Sequence, residues 1–248
     1  MARYIVNAGW KHAPHLDEEE MKAIRDSTPP HLIEARSEGK PTLGSGSVYP
    51  IAESQFVIEQ AIDIKDSWRR WYAMDVGWRD TAVLWIAHDT SADVMYIYDA
   101  YKQGKKEPEL HAAHIFQRDP KDPPTKLRGV IDPASNIGSQ RDGDKLLRLY
   151  RQAGLDLVTA DNDVESGIAA VWGRLSSGRL KVLWNSNTEE FLKEYRKYRR
   201  NDNGIIVKKD DHLMDCCRYG VISGPKHGKS LEFTRNTHRR IDGARSYF

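Results

Sequence analysis

The 248 residues are 39% hydrophobic and 30% charged, a balance that excludes a chain disordered throughout and provides enough apolar matter for a sizeable core. The longest apolar runs, 82–87 and 94–98, fall far short of the roughly 20 residues of a membrane span, and no signal-peptide core follows Met1, so the reading is neither membrane-bound nor secreted. The net charge of +2 hides an asymmetry, because residues 193–248 carry 14 basic and 7 acidic side chains, a balance suited to a polyanionic partner.

In chain order, the acidic start and helical spacing of Leu16, Met21 and Ile24 predict a short helix opening near Asp17, ended by Thr28-Pro29-Pro30. A second short helix is expected over His31 to Ser37, and the Gly- and Ser-rich stretch 39–47 resists regular structure. Residues 1–60 therefore read as an arm, 61–224 as the domain, and 225–248 as a basic flexible tail. Three β-branched or aromatic runs, Arg70–Val76, Ala82–His88 and Val94–Tyr101, with short polar connections, predict an antiparallel meander. Strands and helices then alternate: helix 107–117, strand 127–131, helix 144–152, strand 155–159, helix 164–175, strand 180–184 and helix 189–199. A last helix spans about 210–222. This order suits an α/β fold, a mixed five-stranded sheet with helices on both faces, compatible with the ribonuclease H-like architecture.

The chemistry-bearing candidates are carboxylates at element ends. A divalent cation needs oxygen ligands from different elements held at one point. Asp75 ends the first strand and Asp132 the fourth, although Asp before Gly or Pro is also ordinary turn chemistry. Asp211 and Asp215 lie four apart, on one face of the last helix, where like charges repel unless a cation intervenes. Capping accounts for an aspartate at the helix start but not for Asp215, a turn further in. Cys216 and Cys217, the only cysteines, are too few for a thiolate site and poorly placed to pair, as expected in a reducing cytosol.

Together the Asp75-Val76-Gly77 strand end with Thr81, the Ile131-Asp132-Pro133 strand end and the Asp211-to-Tyr219 helix resemble the C-terminal nuclease domain of tailed-bacteriophage terminase large subunits. The segments 13–16, 29–31, 35–41 and 44–50 resemble the stretch joining the packaging ATPase to that nuclease, so the likeness runs from about Ile5 to Val221. The resemblance implies a metal-dependent endonuclease that cuts concatemeric double-stranded viral DNA in the host cytoplasm, beside the terminase ATPase domain, the small terminase subunit and the portal. It implies that Asp75, Asp132 and Asp215 are the catalytic, metal-binding triad for two Mg²⁺ or Mn²⁺ ions, with Asp211 and Asp80 as auxiliary acids. One departure is Cys216, where the family usually has a smaller residue. Arg69, Arg70, Lys208 and Lys209 are candidate phosphate contacts.

Other signals carry less. Gly224-Pro225-Lys226-His227-Gly228-Lys229-Ser230 is one residue short of a phosphate-binding loop and follows a helix rather than a strand, and without another such motif ATP hydrolysis by these residues is not expected. His111 and His114 read as a solvated helix face, and the seven tryptophans mostly as core. Two alternatives stay open: another ribonuclease H-like nuclease of resolvase or transposase type, which would lack the arm, and a non-catalytic DNA-binding or assembly module whose acids are structural.

Overall fold

The computed structural model describes residues 9–28, 33, 37, 46–118, 127–136 and 146–231. The strands are β1 (Gly46–Ser47), β2 (Val57–Ile58), β3 (Arg69–Asp75), β4 (Thr81–Asp89), β5 (Val94–Gln103), β6 (Arg128–Ile131), β7 (Asp156–Thr159), β8 (Leu180–Leu183), β9 (Arg199–Arg200) and β10 (Lys229–Ser230). The α-helices are α1 (Glu18–Ser27), α2 (Pro108–Gln117), α3 (Leu146–Gln152), α4 (Val164–Ser176), α5 (Thr188–Lys197), α6 (His212–Ile222) and the single turn α7 (Gly224–His227).

The meander forms as its apolar runs and short polar connections predict. β3, β4 and β5 pair antiparallel, with Asp75 opposite Ala82 and Arg69 opposite His88. β6 lies parallel to β3 and β7 parallel to β6, giving the order β5-β4-β3-β6-β7. The whole sheet is larger than the five-stranded one expected: β8, the expected strand at 180–184, and then β2 extend it beyond β5, and β10 pairs with the start of β3, making eight strands. Side chains of β3 alternate between two cores. Trp71 and Ala73 pack with Ile168 of α4, Phe191 of α5 and Leu213 and Cys217 of α6. Tyr72 and Met74 pack with Ile115 of α2 and Leu147 of α3 on the other face. Burial on both faces explains why these strands read as near-continuous apolar runs.

Two expected boundaries move. Residues 46–58 are part of the domain rather than an arm: β1 pairs with β9, β2 pairs with β8, and Val48, Tyr49 and Phe56 are fully buried. The tail begins later than residue 225, since α7 and β10 are folded and Leu231 is buried. The last helix starts at His212 rather than Asp210, whose φ of 52° is left-handed and cannot continue a helix. α1 opens at Asp17, which accepts the Glu20 N–H at 2.7 Å in a capping box. The expected helix over 31–37 apart from residues 33 and 37, the Gly- and Ser-rich stretch up to residue 45, the opening of helix 144–152 and the tail from residue 232 lie outside the described residues.

Candidate active site

Strand register brings two of the aspartates together. In the parallel β3–β6 pair Met74 stands opposite Ile131, so residues 75 and 132 leave the sheet side by side, and the Asp132 N–H donates to the Met74 carbonyl at 3.0 Å. Ala73 and Val130, two residues earlier, belong to the core beneath α6, and the alternation carries Asp75 and Asp132 to that same face. α6 lies across it. His212, Asp215 and Tyr219 follow one another at spacings of three and four, one stripe of the helix. His212 Nδ1 is 2.7 Å from Asp75 Oδ2, and the Tyr219 hydroxyl is 3.2 Å from Asp132 Oδ1, so Asp215 stands on the helix between the two strand ends.

The remaining candidates join through the same helix. His212 Nε2 is 3.7 Å from Asp80 Oδ2. Asp215 Oδ1 accepts two bonds from the buried Arg218 guanidinium, at 2.8 and 3.2 Å, and Asp215 Oδ2 accepts from Lys208 Nζ at 3.0 Å. Lys208 also lies 3.2 Å from Asp211 Oδ2, an ion contact that leaves this oxygen buried without a well-aligned hydrogen bond. Asp211 occupies the cap position of α6 without capping it. The buried Glu194 of α5 does so instead, accepting the Leu213 N–H at 2.7 Å while Lys102 donates to its other oxygen at 2.7 Å.

The electrostatics follow from this crowding. Burial pushes the Asp75 carboxyl above its ordinary value; the His212 bond opposes that shift, and the charges of Asp215 and Asp132 add to it. His212 is held above the usual histidine value chiefly by its bond to Asp75. Lys208 is raised despite its burial, by Asp215 and then Asp211. Among the described residues no three His, Cys, Asp or Glu side chains are arranged to share one ion as they stand, and His212, Lys208 and Arg218 are bonded to the carboxylates. The donor set is nevertheless all oxygen, converges from three elements and includes a buried carboxylate oxygen lacking a hydrogen bond, which fits a hard divalent cation.

Two phosphate-contact candidates lie away from the carboxylates. Arg69 and Arg70 open β3 while Asp75 closes it, roughly 16 to 20 Å away at about 3.3 Å per residue. Arg70 is buried and donates to the Ile64 and Lys65 carbonyls, and Arg69 Nε donates to the Gly228 carbonyl. Lys208 sits at the carboxylates and Lys209 is exposed beside it. Gly224 and Gly228 are there for packing: a Cβ at Gly224 would lie 1.9 Å from Trp71 Nε1, and one at Gly228 2.5 Å from the same indole. His111 is buried rather than solvated, 2.9 Å from the Tyr101 hydroxyl. Sequence reasoning gave no role to His212, Arg218, Tyr219, Glu194 or Asn162, the last 3.2 Å from the Tyr219 hydroxyl. The stripe 212, 215, 219 was a usable signal for two of these; nothing in the chain's order pointed to Glu194 or Asn162.

Residues 72–223 match the family described as the Terminase RNaseH-like domain. The chain belongs to that family. It is 30% identical over 226 residues to the terminase large subunits of Enterobacteria phage LP7 and Salmonella phage P22, an alignment covering 88% of this chain and 46% and 44% of those proteins. The terminase domain described here thus spans less than half the length of these relatives. Among solved structures it is similar to the large terminase nuclease domain of P22, with a TM-score of 0.67 and 26% identity over 78% of this chain and 100% of that one. The large terminase of a thermophilic bacteriophage, solved in complex with ADP, shares the fold at a TM-score of 0.67 and 18% identity, over 86% of this chain and 53% of that one.

Proposed function

We propose that this domain is the nuclease of a terminase large subunit, a divalent-metal-dependent endonuclease that cuts concatemeric double-stranded viral DNA during genome packaging. The observation that carries the reading is the convergence of Asp75, Asp132 and Asp215 from β3, β6 and α6, with Asp80 and Asp211 at the margin. Family membership supports the nuclease role, and the P22 domain similar to this chain is itself a large terminase nuclease domain.

Asp75, Asp132 and Asp215 would hold two Mg²⁺ or Mn²⁺ ions, with Asp211 and Asp80 as further oxygen donors. When bound, such ions activate water and stabilise the leaving oxygen of a phosphodiester. The protein's own share is positioning. The parallel β3–β6 register sets the Asp75-to-Asp132 spacing, Arg218 fixes Asp215 by two bonds, and Tyr219 orients Asp132. His212 holds Asp75 by one oxygen. Lys208, the most exposed of the cationic partners, supplies positive charge that its withdrawal would exchange for the cation's. No side-chain nucleophile is required. The working partners would be double-stranded DNA, the ATPase domain, the small subunit and the portal, in the host cytoplasm.

The test is conversion of supercoiled plasmid by the purified chain with added Mn²⁺ or Mg²⁺. The reading expects nicked and linear products that disappear with a chelator. A folded chain that leaves plasmid intact at every metal concentration, or cuts equally well in chelator, contradicts it.

A further inference from the structure

The β3–β4 connection presents a feature that core packing does not explain. Trp78 is 65% exposed, and its indole makes no ring contact or hydrogen bond among the described residues. The other exposed tryptophan, Trp184, already donates its N–H to Glu189. The loop carrying Trp78 is fixed at several points. Thr81 Oγ1 donates to the Gly77 carbonyl at 3.1 Å, and the Lys105 N–H donates to the Trp78 carbonyl at 2.8 Å. Gly104 presses so closely that a Cβ there would lie 1.6 Å from the Arg79 carbonyl oxygen. Lys105 turns away from β5 in the left-handed region, at φ 56°. The same loop ends in Asp80, which reaches His212, so its indole is three residues from Asp75 and two from Asp80.

Flanking that indole are Arg79 and Lys105, both exposed and neither engaged in a side-chain hydrogen bond or ion pair among the described residues, whereas Lys102 nearby is committed to Glu194. A solvent-facing indole on an anchored loop, bracketed by two uncommitted cations beside a carboxylate cluster, matches a polyanion whose units alternate charge with flat apolar rings.

We propose that Trp78, Arg79 and Lys105 form a nucleic-acid ledge beside the carboxylates: the indole stacks on a base unstacked next to the phosphate being cut, and the two cations take the flanking phosphates. The inference rests on the nuclease reading and adds the residues that seat the strand. The anchored loop keeps the ordering cost of this contact small, since the indole is already presented in the free protein.

The experiment is fluorescence anisotropy of a short labelled duplex with Mg²⁺ present, all variants carrying Asp75→Asn so that the DNA stays intact, with folding checked by circular dichroism. Adding Trp78→Ala is expected to raise Kd about ten-fold without changing the slope of log Kd against log salt, and Trp78→Phe is expected to restore most of the affinity. Arg79→Ala and Lys105→Ala are each expected to lower that slope by about 1. A Trp78→Ala protein that binds like its background, or a Phe variant as weak as the Ala variant, overturns the ledge while leaving plasmid cutting by the unsubstituted chain as independent support for the nuclease reading. Absence of duplex binding by the Asp75→Asn background also overturns it.

Discussion

Asp215 shows how a carboxylate is kept inside a helix face at the scale of single residues. Arg218, almost wholly buried, gives it two bonds, and Gly167 of α4 makes room for the arginine stem at 3.1 Å from where a Cβ would sit. Removing the arginine would leave this buried carboxylate with the exposed Lys208 as its one remaining cationic partner among the described residues, rather than merely delete a contact. Arg218→Ala is therefore expected to destabilise the fold by about 3–5 kcal/mol, read by urea denaturation; a loss below about 1 kcal/mol would mean that Lys208 alone compensates the Asp215 charge. Legibility at this scale was uneven. Asp75 and Asp132 stood out because a charge ends an apolar run, and Asp215 because capping does not explain it. Arg70 is a phosphate-contact candidate by charge alone, and a charged residue opening a strand gives no hint that its head turns back to the Ile64 and Lys65 carbonyls.

Elements hold the site through their ends. α6 lacks a cap of its own, and Glu194 on α5 supplies it, so the helix carrying Asp215 is tied to β5 through Lys102. Such a tie is invisible in sequence because its three members lie on three separate elements. The β4–β5 hairpin is held differently. Asp93, at φ 50°, is bonded by His88 and by Arg174 of α4 and Arg179, and these partners, His88 first, draw its carboxyl from the usual value of 3.8 to about 2. An acid whose pKa is lowered by folding contributes stability that is present above its unfolded value and is lost as pH falls toward the folded one. Asp93→Asn should melt below the wild type near neutral pH, and the gap in Tm should close as pH falls from about 4 to about 2. The residue is half exposed, so the gap should be small and should shrink with added salt. An unchanging gap across that range would assign the effect to the turn's backbone instead.

Across the whole molecule, the central strands and helices were legible because apolar runs rich in β-branched and aromatic residues, and period-3.6 patterns, stand between short polar connections. β2 and β10 were not, since they are two residues long and offer no period to read. For the same reason residues 46–58 read as an arm, although Phe56 packs with Tyr195 at a ring distance of 4.9 Å in the larger core. Phe56→Ala is expected to cost about 3–5 kcal/mol of global stability in chemical denaturation, as a core substitution does; a cost under about 1 kcal/mol would return this segment to the status of an arm. The central claim is that strands β3 and β6 and helix α6 assemble one metal-dependent cutting centre. Its most direct test is the plasmid assay run on Asp75→Asn, Asp132→Asn and Asp215→Asn beside the unsubstituted chain in Mn²⁺, each variant first shown to be folded. The account predicts that all three lose cleavage by at least about a hundred-fold while still binding DNA. Cutting undiminished in any one of the three folded variants would contradict it.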